Sequence, residues 1–317
     1  MAAPPGEAAR GRLQRLAGAV TYGAYRTASG IARTLPNFAA DGFAVPAGLG
    51  ANLTRPERRA TIERQLRRVD PTLEGWRLRR AVQDAFDSYA RYWIETFRLP
   101  TLPAKVVADG FTEEGYAAYI EGGLAAGRGV ILALPHLGGW EWAGRWLTDR
   151  GHSVTVIVEQ LDPPELFDWF VRLRRDLGMT VVPLGPGAGR AVLKALADNE
   201  VVCLLCDRNI GAGGVEVEFF GERTLLPAGP ATMAIRAGAP LLPVGAYFTP
   251  RPNGHHAVIG PPVPTAREGR LRDDVARVTQ DLTYALERLI RRAPSQWHMF
   301  LPNWPSDPGY EADIGRA

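Results

Sequence analysis

Five consecutive apolar residues, Val130-Ile131-Leu132-Ala133-Leu134, run directly into Pro135-His136-Leu137-Gly138-Gly139 and then into Trp140-Glu141-Trp142-Ala143. The run is too short to cross a bilayer, which takes about 20 residues, and its β-branched start and length are those of a buried strand. Such a strand delivers His136 to the carboxyl edge of a sheet, where open α/β sheets bind their ligands. Gly138 and Gly139 let the backbone approach a ligand closely, and the four residues that follow read as the first turns of a helix. Glu141 lies five positions after His136. A metalloprotease helix needs two histidines four apart around a glutamate, so the single histidine here predicts no zinc site.

A chain of 317 residues can bury a full core as one large domain or two smaller ones, and 46% hydrophobic with 22% charged residues is a globular composition. The sequence has no long uncharged apolar window and no convincing signal peptide, which predicts a protein on the cytoplasmic side. Lys105 and Lys194 are the only lysines among the 37 basic residues. A guanidinium-rich surface suits bidentate phosphate contacts, although a GC-rich genome would give the same bias. Cys203 and Cys206 form a C-x-x-C pair inside an apolar strand, Val201 to Cys206. Residues three apart on a strand point to opposite faces, so the pair reads as two small core hydrophobes rather than a redox or metal motif.

The first dozen residues, with Pro4-Pro5-Gly6, read as disordered. From Ala8 to Ala40 there is no acidic residue, and Arg10, Arg12, Arg15, Arg26 and Arg33 interleave with Leu13, Leu16, Val20, Tyr22, Tyr25 and Ile31. A basic amphipathic helix of this kind is expected to dock on an anionic leaflet, a reading favoured by the absence of acid; its alternative is to pack on its own domain. Thr54-Arg55-Pro56-Glu57 matches a capping box and opens a helix that stops before Asp70-Pro71. A longer helix follows from Leu78 to Phe97, with Val82, Phe86, Tyr89, Trp93 and Phe97 as an aromatic stripe that is either core or one wall of an acyl channel. Another helix is expected around Glu114 to Ala126.

Beyond the opening strand, strands at Ser153 to Val158, Thr180 to Pro183, Val201 to Cys206, Leu241 to Phe248 and Ala257 to Ile259 alternate with helices near 163–177, 189–197, 230–237 and 270–292. That rhythm predicts a single-domain α/β/α sandwich with a mostly parallel central sheet in residues 101–317, preceded by an N-terminal helical extension in residues 1–100. Val158-Glu159, Cys206-Asp207-Arg208 and the glycine-fronted strand 213–221 bring acids and arginines to successive strand ends. His152 and the pair His255-His256 read as turn residues; His298 sits in an aromatic tail that covers either the core, the favoured reading, or an acyl chain. There is no G-x-S-x-G elbow, P-loop or dinucleotide fingerprint.

His136-Leu-Gly-Gly-Trp-Glu141, Phe219-Phe220-Gly221 and Pro227-Ala-Gly-Pro230, in this order, resemble the lysophospholipid acyltransferase superfamily, in particular its branch of lipid A late acyltransferases and phosphatidylinositol mannoside acyltransferases. The resemblance runs from about Trp76 to Trp304. Segments 159–168, Asp207-Arg208 and 214–222 look nearest to the mannoside side of that branch. It implies direct transfer from acyl-CoA, as co-substrate, to a mannose hydroxyl of phosphatidylinositol mannoside at the cytoplasmic face of the membrane, with no acyl-enzyme, no resident cofactor and no nucleic-acid partner. A sugar hydroxyl needs a general base to attack a thioester, and an imidazole titrating near 6.5 suits that task. His136 takes it. Two acids compete to orient the imidazole: the motif acid Glu141, and Asp207, which matches the position where the mannoside enzymes place a carboxylate. Asp207 is favoured as the direct partner, with Glu141 supporting the network. The resemblance further implies that Glu159 and Arg174 face the acceptor; Arg208 is a candidate for a phosphate or an acid. The backbone N–H groups near Gly138 and Gly139 are candidates for the oxyanion. Another acceptor of the same superfamily, such as a lysophospholipid or a lipid A precursor, and a catalytically silent lipid-binding protein are the alternatives.

Overall fold

The run at 130–134 is a central strand whose alternate side chains enter different cores. A computed structural model of the chain describes residues 5–34, 37–210 and 213–311, with side chains from residue 18 in the first helix and from residue 42 in the second. Helices come first: α1 (Pro5–Thr34), α2 (Asn37–Thr54), α3 (Pro56–Val69), α4 (Gly75–Arg98) and α5 (Ala104–Asp109). Strands and helices then alternate as β1 (Phe111–Glu114), α6 (Gly122–Ala125), β2 (Val130–Leu134), α7 (Trp140–Asp149), β3 (Val154–Val158), α8 (Pro164–Asp176), β4 (Met179–Pro183), α9 (Ala188–Ala197) and β5 (Val201–Leu205). The hairpin β6 (Val215–Phe219) and β7 (Glu222–Leu226) leads to α10 (Gly229–Ala237), β8 (Leu241–Phe248), β9 (His255–Ile259) and α11 (Leu271–Arg292).

Seven of the nine described strands form one sheet in the order β1-β9-β8-β2-β5-β3-β4, and β6 and β7 pair apart from it. β8, β2, β5, β3 and β4 run parallel, while β9 turns back against β8 and pairs in parallel with β1. This is the mostly parallel α/β/α arrangement with an N-terminal helical part that the sequence predicts. Because side chains alternate along a strand, Ile131 and Ala133 of β2 enter a core with α9, α10 and α11, whereas Val130, Leu132 and Leu134 enter the opposite core with α7 and α8. Ile131 is fully buried, and burial of this kind stabilises by roughly 1.5–3 kcal/mol per large side chain. The same alternation places Cys206 in the first core and Cys203 against the second, and both are free thiols.

The N-terminal helices wrap one end of this sandwich. Leu78, Val82, Ala85 and Phe86 of α4 form a third core with Ile62 and Leu66 of α3 and with Phe300. The aromatic stripe is thus divided: Val82 and Phe86 are core, whereas Tyr89 and Trp93 face the crevice described below. In α1, Tyr25 meets Trp93, Phe97 and Phe170 edge-on and Arg33 donates to the Phe97 carbonyl, so its described half packs on its own domain while Val20 and Ile31 stay exposed. The side chains of Arg10, Arg12, Leu13, Arg15 and Leu16 lie outside the described set.

Several expectations are corrected. The segment at Pro4-Pro5-Gly6 is helical from Pro5, a residue whose missing N–H costs nothing in a first turn. α2, rich in glycine and containing Pro46, was not expected; Gly48 lets it approach α4 so closely that a Cβ there would lie 2.8 Å from the Asp87 backbone. Thr54 does not cap α3. α2 runs through it, and its hydroxyl donates to the Gly50 carbonyl four residues back, leaving Arg55 at the N-cap. The helix expected at 114–126 is broken at Gly115, whose φ of +89° ends β1 before a wide turn over Tyr116–Glu121. His255 is no turn residue: Arg251 to Gly254 make the turn, and His255 opens β9 fully buried, stacked on Trp142 and paired with Glu95 at 2.8 Å.

Candidate active site

Leu134 of β2 and Leu205 of β5 are partners in the parallel ladder, so the chain leaves the sheet side by side at their carboxyl ends. Two residues further along each strand stand His136 and Asp207. The His136 ring places Nδ1 at 2.7 Å from Asp207 Oδ1, and the His136 backbone N–H donates to Oδ2 at 2.9 Å. Trp297 Nε1 donates to the same Oδ2 at 2.7 Å, and Asn303 Nδ2 donates to the Asp207 carbonyl oxygen. A carboxylate facing Nδ1 selects the tautomer with hydrogen on that nitrogen and leaves the Nε2 lone pair as the basic position of the ring. The Asp207 side chain is fully buried, whereas that of His136 is 30% exposed at the crevice wall.

The second acid does something else. Glu141, in the first turn of α7, receives Nε and Nη2 of Arg174 on Oε1 at 3.1 and 2.6 Å, and both side chains are largely buried. Arg174 therefore spends its fork on Glu141 while still lining the crevice. At the end of β3, Glu159 accepts from Arg208 Nη2 at 2.8 Å.

The amides of Gly138 and Gly139 themselves are engaged within the fold, contrary to expectation. The Gly138 N–H donates to the Gln296 carbonyl and the Gly139 N–H to the Ala246 carbonyl, at 2.9 and 3.2 Å. What the glycines supply is space. A Cβ on Gly138, whose φ is +59°, would lie 2.1 Å from the Ala246 oxygen, and one on Gly139 would lie 2.6 Å from the His255 ring.

His136, Glu159, Arg174 and Arg208 line a crevice of about 680 Å³ between the sheet edge and helices α1, α3 and α4. Tyr25, Tyr89, Trp93, Trp140 and Phe170 give it apolar walls, and Arg58 of α3 stands exposed at it. A smaller cavity of about 70 Å³, lined by Leu132, Glu141, Ala143, Gly144, Leu147 and Met179, shares Arg174 and Trp140 with the crevice as walls. Among the described residues, no group of three or more His, Cys, Asp and Glu could hold a metal ion.

Residues 20–306 match the family model for the bacterial lipid A biosynthesis acyltransferases. The chain belongs to this family. It is 34% identical over 296 residues to the phosphatidylinositol mannoside acyltransferase of Mycolicibacterium smegmatis (strain ATCC 700084 / mc(2)155), covering 92% of this chain and 94% of the relative. It is 39% identical over 227 residues, 70% of each chain, to the protein of the same name from Mycobacterium tuberculosis (strain ATCC 25618 / H37Rv).

In this acyltransferase the charges at the site are held by their neighbours. Burial would raise the Asp207 carboxyl, but the His136 imidazole and the donors from His136 and Trp297 outweigh it and hold the group below the ordinary carboxylate range. Burial would likewise lower Arg174, and the Glu141 carboxylate outweighs it and raises the guanidinium further. Burial pushes the Cys203 thiol up to about 12, which keeps it protonated and inert at neutral pH.

Three residues of the acyltransferase site were not foreseen from its sequence. Trp297 fixes Asp207, Arg58 reaches the crevice from the helical extension, and His298 joins the crevice wall with its backbone N–H donating to the His136 carbonyl at 2.7 Å. The sequence Gln296-Trp297-His298 offered one signal, two hydrogen-bonding rings inside an aromatic tail, but nothing in it specified the distance to residue 136.

Proposed function

We propose that this acyltransferase moves a long acyl chain such as palmitoyl from acyl-CoA to a mannose hydroxyl of a phosphatidylinositol mannoside. The observation that carries the proposal is the buried carboxylate on His136 Nδ1, at the wall of a crevice with apolar and hydrogen-bonding surfaces. Nε2 takes the proton of the sugar hydroxyl as that oxygen attacks the thioester carbonyl. Asp207 stabilises the imidazolium that forms, and the same proton then leaves with the CoA thiolate. The acyl group passes directly between the two substrates, and no enzyme nucleophile is needed.

Glu159 and Arg208, at the crevice, present hydrogen-bonding groups to a sugar acceptor. Arg174 acts through Glu141 by holding the first turn of α7 beside His136. Arg58 offers a guanidinium for a phosphate of CoA or of the lipid. The aromatic walls suit the acyl chain, and the names of the mycobacterial relatives support a mannoside acceptor.

The reading includes peripheral attachment to the cytoplasmic face of the membrane. None of the described helices is long and apolar enough to cross one. Val20 of α1 and Phe43, Val45, Leu49 and Leu53 of α2 are exposed apolar side chains that a leaflet would cover.

Mass spectrometry of the product made from palmitoyl-CoA and a mannosylated phosphatidylinositol tests this directly, with lysophospholipid and lipid A precursor acceptors in parallel. A palmitoylated mannoside with equimolar free CoA is the expected result. Transfer only to a different acceptor would reassign the substrate, and no CoA release with any acceptor would leave a lipid-binding protein.

A further inference from the structure

The oxygen of the attacked carbonyl becomes negative in the transition state and calls for a donor, and three nearby backbone amides are engaged elsewhere. Those of Gly138 and Gly139 serve carbonyls of the fold, and that of His136 serves Asp207. Among the described residues that line the crevice, one buried side-chain polar atom has no hydrogen-bond partner: Nδ1 of His298. His298 is only 8% exposed, and its other ring nitrogen, Nε2, lies 2.9 Å from Ser88 Oγ.

The geometry points to His298 as a catalytic residue whose Nδ1–H donates to the thioester carbonyl oxygen as negative charge develops there. This inference rests on the acyl-transfer reading and adds a group to it. The tautomer follows from Ser88. That hydroxyl is buried on α4, and its only described partner is His298 Nε2. A buried hydroxyl places its hydrogen on an acceptor, so Ser88 donates to Nε2, and the ring hydrogen resides on Nδ1.

Position and charge both suit the task. The His298 N–H to His136 carbonyl bond fixes the two residues to each other, and both rings lie against the Trp140 indole, with centroids 5.5 Å away for His136 and 5.7 Å for His298. Burial pushes the His298 imidazole down to about 3, and the nearby His136 adds to that push more than Asp207 offsets it. His298 therefore stays a neutral donor while His136 carries the proton in flight. A neutral N–H in a site shielded from water stabilises an oxyanion without being able to protonate it fully.

The step balances. The hydroxyl oxygen forms the new C–O bond as its proton moves to His136 Nε2, and the carbonyl π pair moves onto the oxygen held by His298. The π bond then re-forms, the C–S bond breaks, and the thiolate takes the proton from His136. His298 neither gains nor loses a proton.

Two measurements on the full-length protein test the assignment. Nitrogen-15 NMR at pH 7 should show the His298 hydrogen on Nδ1; a hydrogen on Nε2 overturns the proposal regardless of activity. In steady-state kinetics, His298→Leu should lower kcat by about 10²–10³-fold with KM for acyl-CoA within about threefold, as for loss of an oxyanion donor. His298→Asn, whose amide nitrogen falls near the Nδ1 position, should recover part of that loss, while His298→Gln, whose nitrogen falls near Nε2, should not. Equal losses in all three variants, with raised KM and lowered Tm, would mark a structural role and overturn it. A competent wild type with an unimpaired His298→Leu variant overturns this inference alone; a wild type silent with every acyl-CoA overturns the transfer reading as well.

Discussion

His136 and Asp207 stand equally far beyond Leu134 and Leu205, which face each other in the β2–β5 ladder, and their side chains meet at 2.7 Å. The register of two buried strands thus sets the geometry of the His136–Asp207 pair, the base and orienting acid of the proposed mechanism. Asp207→Asn keeps the shape but replaces an acceptor with an amide that can donate to Nδ1, which favours the hydrogen on Nε2. Turnover should fall by about two to four powers of ten with KM little changed, as steady-state kinetics would reveal.

The same carboxylate links folding to pH. Asp207 titrates lower in the folded protein than in the unfolded chain, so the unfolded state binds more protons as the solution is acidified. Its contribution to stability is present above the ordinary carboxylate value of about 3.9 and is lost as pH falls below it toward the folded value. Denaturant unfolding from pH 6 to pH 3 should show a steeper acid loss for the wild type than for Asp207→Asn.

Glu141 and Arg174 form a buried pair, and removing one partner strands the other charge. Glu141→Gln should destabilise by about 3–5 kcal/mol, whereas Glu141→Gln combined with Arg174→Met should recover much of that loss. Urea unfolding of the two single variants and the double variant measures the difference.

Gly138 carries a positive φ, and a Cβ there would meet the Ala246 oxygen at 2.1 Å. Gly138→Ala should cost about 1–3 kcal/mol from the backbone conformation alone, with the clash added to it. It should also shift the His136 turn, so activity should fall beyond what the Tm change explains.

The features legible in the sequence were those that depend on short-range pattern. Continuous apolar runs announced β2, β5 and β8, and Gly-Gly followed by Trp-Glu-Trp announced α7. Strand-end position brought His136, Asp207, Glu159 and Arg208 to one edge. What stayed hidden depended on approach between distant segments. α2 has the glycines and proline of a loop, and its helix is held by close packing on α4. The Gly138 and Gly139 amides looked available because the carbonyls that occupy them come from Ala246 and Gln296, more than a hundred residues away. His255 and His298 looked like a turn residue and a core residue, since Glu95 and Ser88, their partners, lie on a helix of the N-terminal extension.

The most direct measurement is the rate of acyl transfer from palmitoyl-CoA to a mannosylated phosphatidylinositol by His136→Ala, beside a wild type of matched Tm. The expected result is a loss of about 10²–10⁴-fold in kcat, with acyl-CoA binding retained. Transfer by His136→Ala within a few-fold of the wild type would contradict a base at His136 and the mechanism built on it.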